Sequence, residues 1–87
     1  MTHDSTEKRD RAEAVILQGK QQLKQAALDF GMQFASSLRQ EIETLMRQLQ
    51  ESLTQGDEIR IEQYSIDFQI KLDELNQQMR QHNTFDS

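Results

Sequence analysis

The sequence offers few positions at which a helix could be interrupted, because its 87 residues include no proline and only three glycines. Between the glycines, apolar residues recur every three or four positions, a spacing typical of helices that bury one side. Gly31 and Gly56 follow such segments, and glycine favours the left-handed conformation that ends many helices. The sequence therefore predicts an all-α fold, an antiparallel three-helix bundle with helices at about residues 7–30, 37–54 and 58–81.

Each predicted helix carries one apolar stripe that would face the bundle core. Gly19 lies on the stripe of the first helix, where close packing is favoured over a hinge although glycine costs about 1 kcal/mol in a helix. Val15, Leu17, Ala27 and Leu28 are expected to widen that stripe. The candidate core consists of Ile16, Leu23, Phe30, Leu38, Ile42, Leu45, Leu49, Ile61, Phe68, Leu72 and Leu75.

The predicted organisation is a single helical bundle domain at residues 7–81, between a disordered N-terminal segment at 1–6 and a flexible tail at 82–87. Neither terminal segment has an apolar repeat that would anchor it.

Side-chain signals predict how the second and third helices begin. Ser37 and Gln40 have the spacing of a capping box, in which each side chain bonds a free backbone N–H. Asp57 is of a type that caps helices. Arg39 and Glu43, four residues apart, are expected to pair on the solvated face of the second helix.

Residues 64–72 alternate apolar and polar, which is the period of a strand. No other segment alternates, and residues 61–79 keep a helical stripe, so a helix is favoured over a strand. In a helix, Ile59, Ile66 and Ile70 fall opposite the core stripe. A contiguous exposed apolar patch often marks an interface, so these three residues form the candidate partner interface.

The composition narrows the class of partner. The net charge is −5 and the ten basic residues are scattered, which argues against nucleic acid and anionic membrane surfaces. No apolar run approaches the roughly 20 residues that span a bilayer. There is no cysteine, which is compatible with a cytoplasmic protein. The expected partner is a polypeptide, with three alternatives open: a second copy of the chain in a homodimer, another domain, or a terminal helix outside this sequence.

No arrangement of residues indicates catalysis. The two histidines, His3 and His82, lie in the terminal segments and are expected to be solvated rather than to serve as bases. No metal or phosphate-binding motif is present. We therefore expect no catalytic residue, no metal and no cofactor, and the chain is not expected to be an enzyme.

Two stretches resemble the C-terminal lid of DnaK-type (seventy-kilodalton heat-shock) chaperones. Residues 7–23, EKRDRAEAVILQGKQQL, are similar to the charged long lid helix of that family. Within residues 49–79, the motif LTQGD at 53–57 precedes IE at 61–62 and LDEL at 72–75. This part looks like the junction between the second and third lid helices.

The resemblance implies a lid subdomain of a stress-response chaperone, which closes over bound unfolded peptide and slows its release. ATP binding and the peptide-binding β-sandwich would belong to other parts of the parent protein, and residues 6–14 would lie nearest the sandwich. The alternative is a free-standing helical interaction or adaptor protein that acts as a homodimer.

Overall fold

A computed structural model of the chain describes residues 3–86 and the side chains of residues 6–82. The chain forms three helices, α1 (His3–Phe30), α2 (Ser36–Gln55) and α3 (Glu58–Asp86). Successive helices run antiparallel, and α3 packs against both others more extensively than they pack against each other. The predicted three-helix bundle is confirmed, and the alternating segment 64–72 is helical.

Both outer helices are longer than predicted. α1 begins at His3 rather than at residue 7, and α3 continues to Asp86 rather than ending at residue 81. No glycine or proline stands near either end to stop a helix. The described parts of the two terminal segments are thus helical, whereas residues 1, 2 and 87 lie outside the described residues. The division into a disordered start, a bundle and a flexible tail stays a prediction.

The bundle is elongated, because the two long helices, α1 and α3, set its length. Its principal extents are 51 × 19 × 17 Å. Its radius of gyration of 14.3 Å exceeds the about 12 Å expected for a compact domain of this length. An elongated bundle leaves long grooves between neighbouring helices, here between α1 and α3 and between α2 and α3.

The core is centred on α3. The largest fully buried side chains are Ile42 and Leu49 of α2 and four residues of α3, namely Ile61, Phe68, Leu72 and Leu75. Of the predicted core residues, Ile16 and Leu38 are also buried, while Leu23, Phe30 and Leu45 are half-buried.

Of the residues expected to widen the stripe of α1, Val15 is buried and Ala27 half-buried. The expectation for Leu17 and Leu28 is wrong, since these side chains are 58% and 70% exposed. At 100° per residue they lie about 140–160° around α1 from Ala12, which is fully buried. They therefore face away from both neighbouring helices.

α1 and α3 approach each other closely where Gly19 faces Phe68. The Phe68 ring is fully buried, and a Cβ atom built on Gly19 would lie 2.7 Å from its Cε2 and nearer still to its Cζ. A methyl group would overlap the ring, so the absence of a side chain at residue 19 allows this contact. The predicted role of Gly19 in close packing is confirmed.

Gly19→Ala should lower the free energy of unfolding by about 1–2 kcal/mol, because overpacking a rigid core outweighs the gain in helix propensity. Urea denaturation would measure the change. On a Phe68→Leu background, where the shorter side chain leaves room for a methyl group, Gly19→Ala should instead be neutral or stabilising. Equal destabilisation on both backgrounds would contradict the proposed overlap.

The connection between α1 and α2 is held by one buried cation, Arg39. Its guanidinium donates to the carbonyl oxygens of Gly31 and Phe34, each at 3.3 Å, and to that of Met32. The residue is only 8% exposed. The predicted pairing of Arg39 with Glu43 on a solvated face is therefore wrong.

The predicted capping box is also wrong. α2 begins at Ser36, and its N-cap is Ala35, which has left-handed backbone angles and no side-chain cap hydrogen bond. Because the helix starts earlier than expected, Ser37 lies inside its first turn and cannot cap it. Gly31, at φ 94°, ends α1 as predicted.

Arg39→Met should destabilise the bundle by about 1.5–3 kcal/mol, because charged hydrogen bonds to three carbonyl groups are lost. Arg47→Met is the matched control, since Arg47 is exposed on the same helix and should change stability by less than about 0.5 kcal/mol. Thermal unfolding of both variants would test this. Equal effects would show that Arg39 does not hold the turn.

The connection between α2 and α3 follows the prediction. Gly56 caps α2 with left-handed backbone angles, and its N–H bonds the Leu53 carbonyl oxygen at 3.3 Å. Asp57 caps α3, because its carboxylate accepts a hydrogen bond from the Arg60 backbone N–H at 3.2 Å.

Candidate contact surface

The outer side of α3 carries three exposed isoleucines. Ile59, Ile66 and Ile70 are 73%, 56% and 52% exposed, and they lie within about 40° of one another around the helix. Phe68 points in the opposite direction, into the core. These three residues form the isoleucine row, and their role as a partner interface stays a prediction.

One side of the isoleucine row is bounded by the α1–α3 groove, which encloses about 370 Å³. Ala14, Val15 and Ile66 supply its apolar wall, and Lys8 and Arg11 its positive charge.

The two cations of the α1–α3 groove differ in their contacts. Lys8 is balanced by Glu62 on α3, at 3.6 Å. Arg11 is exposed and makes no hydrogen bond or ion pair with any residue that the structure describes.

The other side of the row is bounded by the α2–α3 groove, which encloses about 620 Å³. Leu45 and Ile70 supply apolar surface, and the carboxylate of Asp67 lies beside them. Asp67 is exposed and, within the described part of the chain, has no hydrogen-bond or ion-pair partner. The isoleucine row therefore has an unpaired basic residue on one side and an unpaired acidic residue on the other.

Lys71 of the α2–α3 groove is shared by two other carboxylates, those of Glu41 and Glu74. Its ammonium lies 3.3 Å from the Glu74 carboxylate and 3.4 Å from that of Glu41. Hydrogen bonds to Glu74 and then Glu41 raise the pKa of Lys71, so it stays charged throughout the neutral range. Of the acidic residues that line the groove, Asp67 is thus the one with no ion-pair partner among the residues described.

Three rings meet at the end of the bundle near the α1–α2 connection. His82 of α3 packs edge-on against Phe30, with ring centroids 4.8 Å apart, and against Phe34 at 5.6 Å. The sequence predicted that His82 would be solvated. The residue is exposed, but its ring also packs against two aromatic side chains. The side chain of His3 lies outside the described side chains.

The residues that the structure describes form neither a metal site nor a membrane-spanning segment. They contain no group of three or more His, Cys, Asp or Glu side chains that could hold a metal ion. None of the three helices has a stretch, among those residues, that is apolar and long enough to span a membrane. The features that remain are the isoleucine row and its two charged sides.

Sequence reasoning found the isoleucines but missed Arg11 and Asp67. A helical wheel places Asp67 beside the row, since it follows Ile66 directly. Whether a charge is paired depends on which residues of the neighbouring helix lie at the same height, and that is a property of the assembled bundle. Arg39 did leave a signal, because it falls three and seven residues before Ile42 and Met46 of the buried stripe.

Replacing the row residues should leave the fold intact. Ile66→Asp and Ile70→Asp are each expected to change the free energy of unfolding of the monomer by less than about 0.5 kcal/mol, because both sites are exposed. Phe68→Ala, on the same helix, should cost on the order of 3–5 kcal/mol. Chemical denaturation in dilute solution would compare them. A large loss in Ile66→Asp would show that this side chain supports the core.

Comparison with known proteins identifies relatives of one kind. The chain is 49% identical over 79 residues to the chaperone protein DnaK of Trichormus variabilis, a match that covers 91% of this chain and 12% of that relative. The DnaK1 chaperone of Nostoc sp. matches to the same extent. The DnaK3 chaperone of Synechocystis sp. is 38% identical over 74 residues, or 85% of this chain and 10% of that protein.

The chain therefore spans about an eighth of the length of its first two relatives. No protein-family model matches it, and no solved structure matches it. The identity extends over most of the bundle, and it agrees with the resemblance carried by residues 7–23 and 49–79. This chain is a homologue of a segment of the DnaK-type chaperones.

Proposed function

We propose that this chain is the helical lid of a DnaK-type chaperone, which covers the peptide-binding domain and slows the release of unfolded polypeptides. The observation that carries the proposal is 49% identity to a DnaK chaperone across 91% of the chain, in a bundle of three helices. The lid has no catalysis of its own. ATP binding, a role in the stress response and a cytoplasmic location are properties of the parent chaperone in this proposal.

The polar contacts of α1 support a lid that moves as one body. Arg9 donates to the carbonyl oxygen of Leu53 at 3.1 Å, which ties the start of α1 to the end of α2. Further along, the side-chain amide of Gln22 donates to the carbonyl oxygen of Leu72 on α3 at 2.7 Å. Contacts at both places oppose separation of α1 from the bundle.

A rigid lid affects peptide release through its open or closed position. A ligand at another site can shift a two-state element only through its different affinity for the two states. In the proposal, closing lays one end of the bundle on the peptide-binding domain, and the family resemblance implies that residues 6–14 lie nearest to it. Lys8 pairs with α3 there, so closure would not have to order this part of α1 first.

A chimera tests the proposed function. The segment of Trichormus variabilis DnaK that matches this chain would be replaced by the corresponding residues of this chain, and the dissociation of a fluorescent peptide measured without ATP. We expect release at nearly the parent rate. Deletion of the same segment should speed release by at least about tenfold, which corresponds to 1.4 kcal/mol of added retention.

The matched control is the chimera carrying Phe68→Ala, which removes the largest buried side chain. If the folded bundle retains the peptide, this variant should release it nearly as fast as the deletion. A wild-type chimera that releases peptide at the deletion rate would overturn the proposal. So would a chimera whose retention does not depend on Phe68.

A further inference from the structure

We propose that the isoleucine row is a self-association surface, through which two copies of this chain pack in parallel so that Arg11 of each pairs with the partner's Asp67. This inference does not depend on the lid proposal. It rests on the exposed apolar residues of α3 and on two unpaired charges of opposite sign, one on each side of the row.

The apolar residues of the surface lie along one side of α3, where Ile66 and Ile70 are one turn apart and Ile59 lies two turns before Ile66. Ile59 and Ile70 are eleven residues apart, so the row extends about 16 Å along α3. Single exposed apolar residues are normal, but a contiguous row is typical of interaction sites. The row also joins the α1–α3 groove, because Ile66 forms part of that groove's wall with Ala14 and Val15.

The unpaired charges of Arg11 and Asp67 favour a second copy of this chain as the partner and determine its orientation. A two-fold axis parallel to α3 exchanges the two sides of the row, so the basic side of one copy faces the acidic side of the other. An axis perpendicular to α3 would place basic beside basic and acidic beside acidic. Like charges across an interface are costly, so the parallel arrangement is favoured.

The heights of the two charges agree with this arrangement. Arg11 lies in the α1–α3 groove beside Glu62, Ser65 and Ile66, and Asp67 follows Ile66 on α3. In a parallel pair, residues with the same number lie at the same height, so Arg11 is within about one helical turn of the partner's Asp67. The same arrangement brings Ile66, on the basic side of the row, towards the acidic side of the partner's row, where Ile70 lies.

The size of the row implies weak association. A stable interface buries about 800 Å² on each partner, and a row of three isoleucines is smaller than that. Monomer and dimer should therefore exchange, with the dimer populated only at high protein concentration. The Arg11–Asp67 pairs lie on the rim, where salt screens them, so association should weaken as salt is added.

Sedimentation equilibrium of the whole 87-residue chain over a concentration series tests the proposal by charge reversal. Arg11→Asp alone and Asp67→Arg alone should each weaken association by at least about tenfold, because each puts like charges together. An equimolar mixture of the two variants should associate as tightly as the wild type, because each variant supplies the charge that the other lacks. The double variant should also regain association.

Two matched controls separate this interface from general effects. Lys24→Asp changes the net charge as Arg11→Asp does, at an exposed site on the same helix outside the groove, and should leave association unchanged. Leu17 is 58% exposed and Ile66 is 56% exposed, so Leu17→Asp should have no effect where Ile66→Asp abolishes association.

Three results would each overturn the proposal. The first is a wild-type chain that stays monomeric throughout the concentration series. The second is a mixture of Arg11→Asp and Asp67→Arg that associates no better than either variant alone. The third is equal weakening by Leu17→Asp and Ile66→Asp. None of these results bears on peptide retention in the chimera, so failure here is distinguishable from failure of the lid proposal.

Discussion

The contact between the Phe68 ring and the backbone of Gly19 is the constraint on which the rest of the bundle depends. Phe68 is fully buried, and its ring occupies the space that a side chain on α1 would fill. A ring that fits against one glycine also fixes the height of α1 relative to α3. Gln22, one turn beyond Gly19, then reaches the carbonyl oxygen of Leu72, one turn beyond Phe68. Sliding α1 by one turn would lose both contacts.

The central position of α3 accounts for its unusual sequence. Tyr64, Phe68 and Leu72 face the core side, whereas Ile66 and Ile70 are exposed. Residues two apart in a helix differ by about 200° in direction, so successive apolar residues at this spacing alternate between two opposite sides. Strict alternation, which in most sequences indicates a strand, arises here because a helix has two apolar faces. One apolar face of α3 packs into the bundle core. The other is the isoleucine row, which packing within the bundle does not explain.

The sequence predicts the parts of this fold that depend on local pattern. The three helices, the glycines that end the first two and the aspartate that caps the third follow from residue type and spacing. Arg39 is different: its spacing fits the buried stripe, but its charge argued for the surface. What overrides that preference is a set of turn carbonyl groups that need donors, and those are visible only once the chain reverses direction. The prediction that Leu17 and Leu28 are buried was wrong for the opposite reason, because hydrophobicity alone does not bury a residue that faces no neighbouring helix.

The charges beside the isoleucine row could not be predicted for a further reason. Lys8 and Arg11 are three residues apart on α1, and only Lys8 is paired with an acidic residue of α3. The difference depends on the height at which Glu62 faces α1, which the Phe68–Gly19 contact sets. A core contact in the middle of the bundle thus decides which surface charges are neutralised.

For a lid of the proposed kind, the same core contact limits how well a client can be retained. A peptide under the lid can leave when the lid lifts as one body, or when part of the lid unfolds. Local unfolding carries free energies from about zero up to that of global unfolding, so retention cannot exceed the stability of the least stable part that covers the peptide. α1 is held by the Phe68 ring at its middle and by Arg9 at its start. Loosening the core should therefore speed client release even when no residue that touches the client is changed.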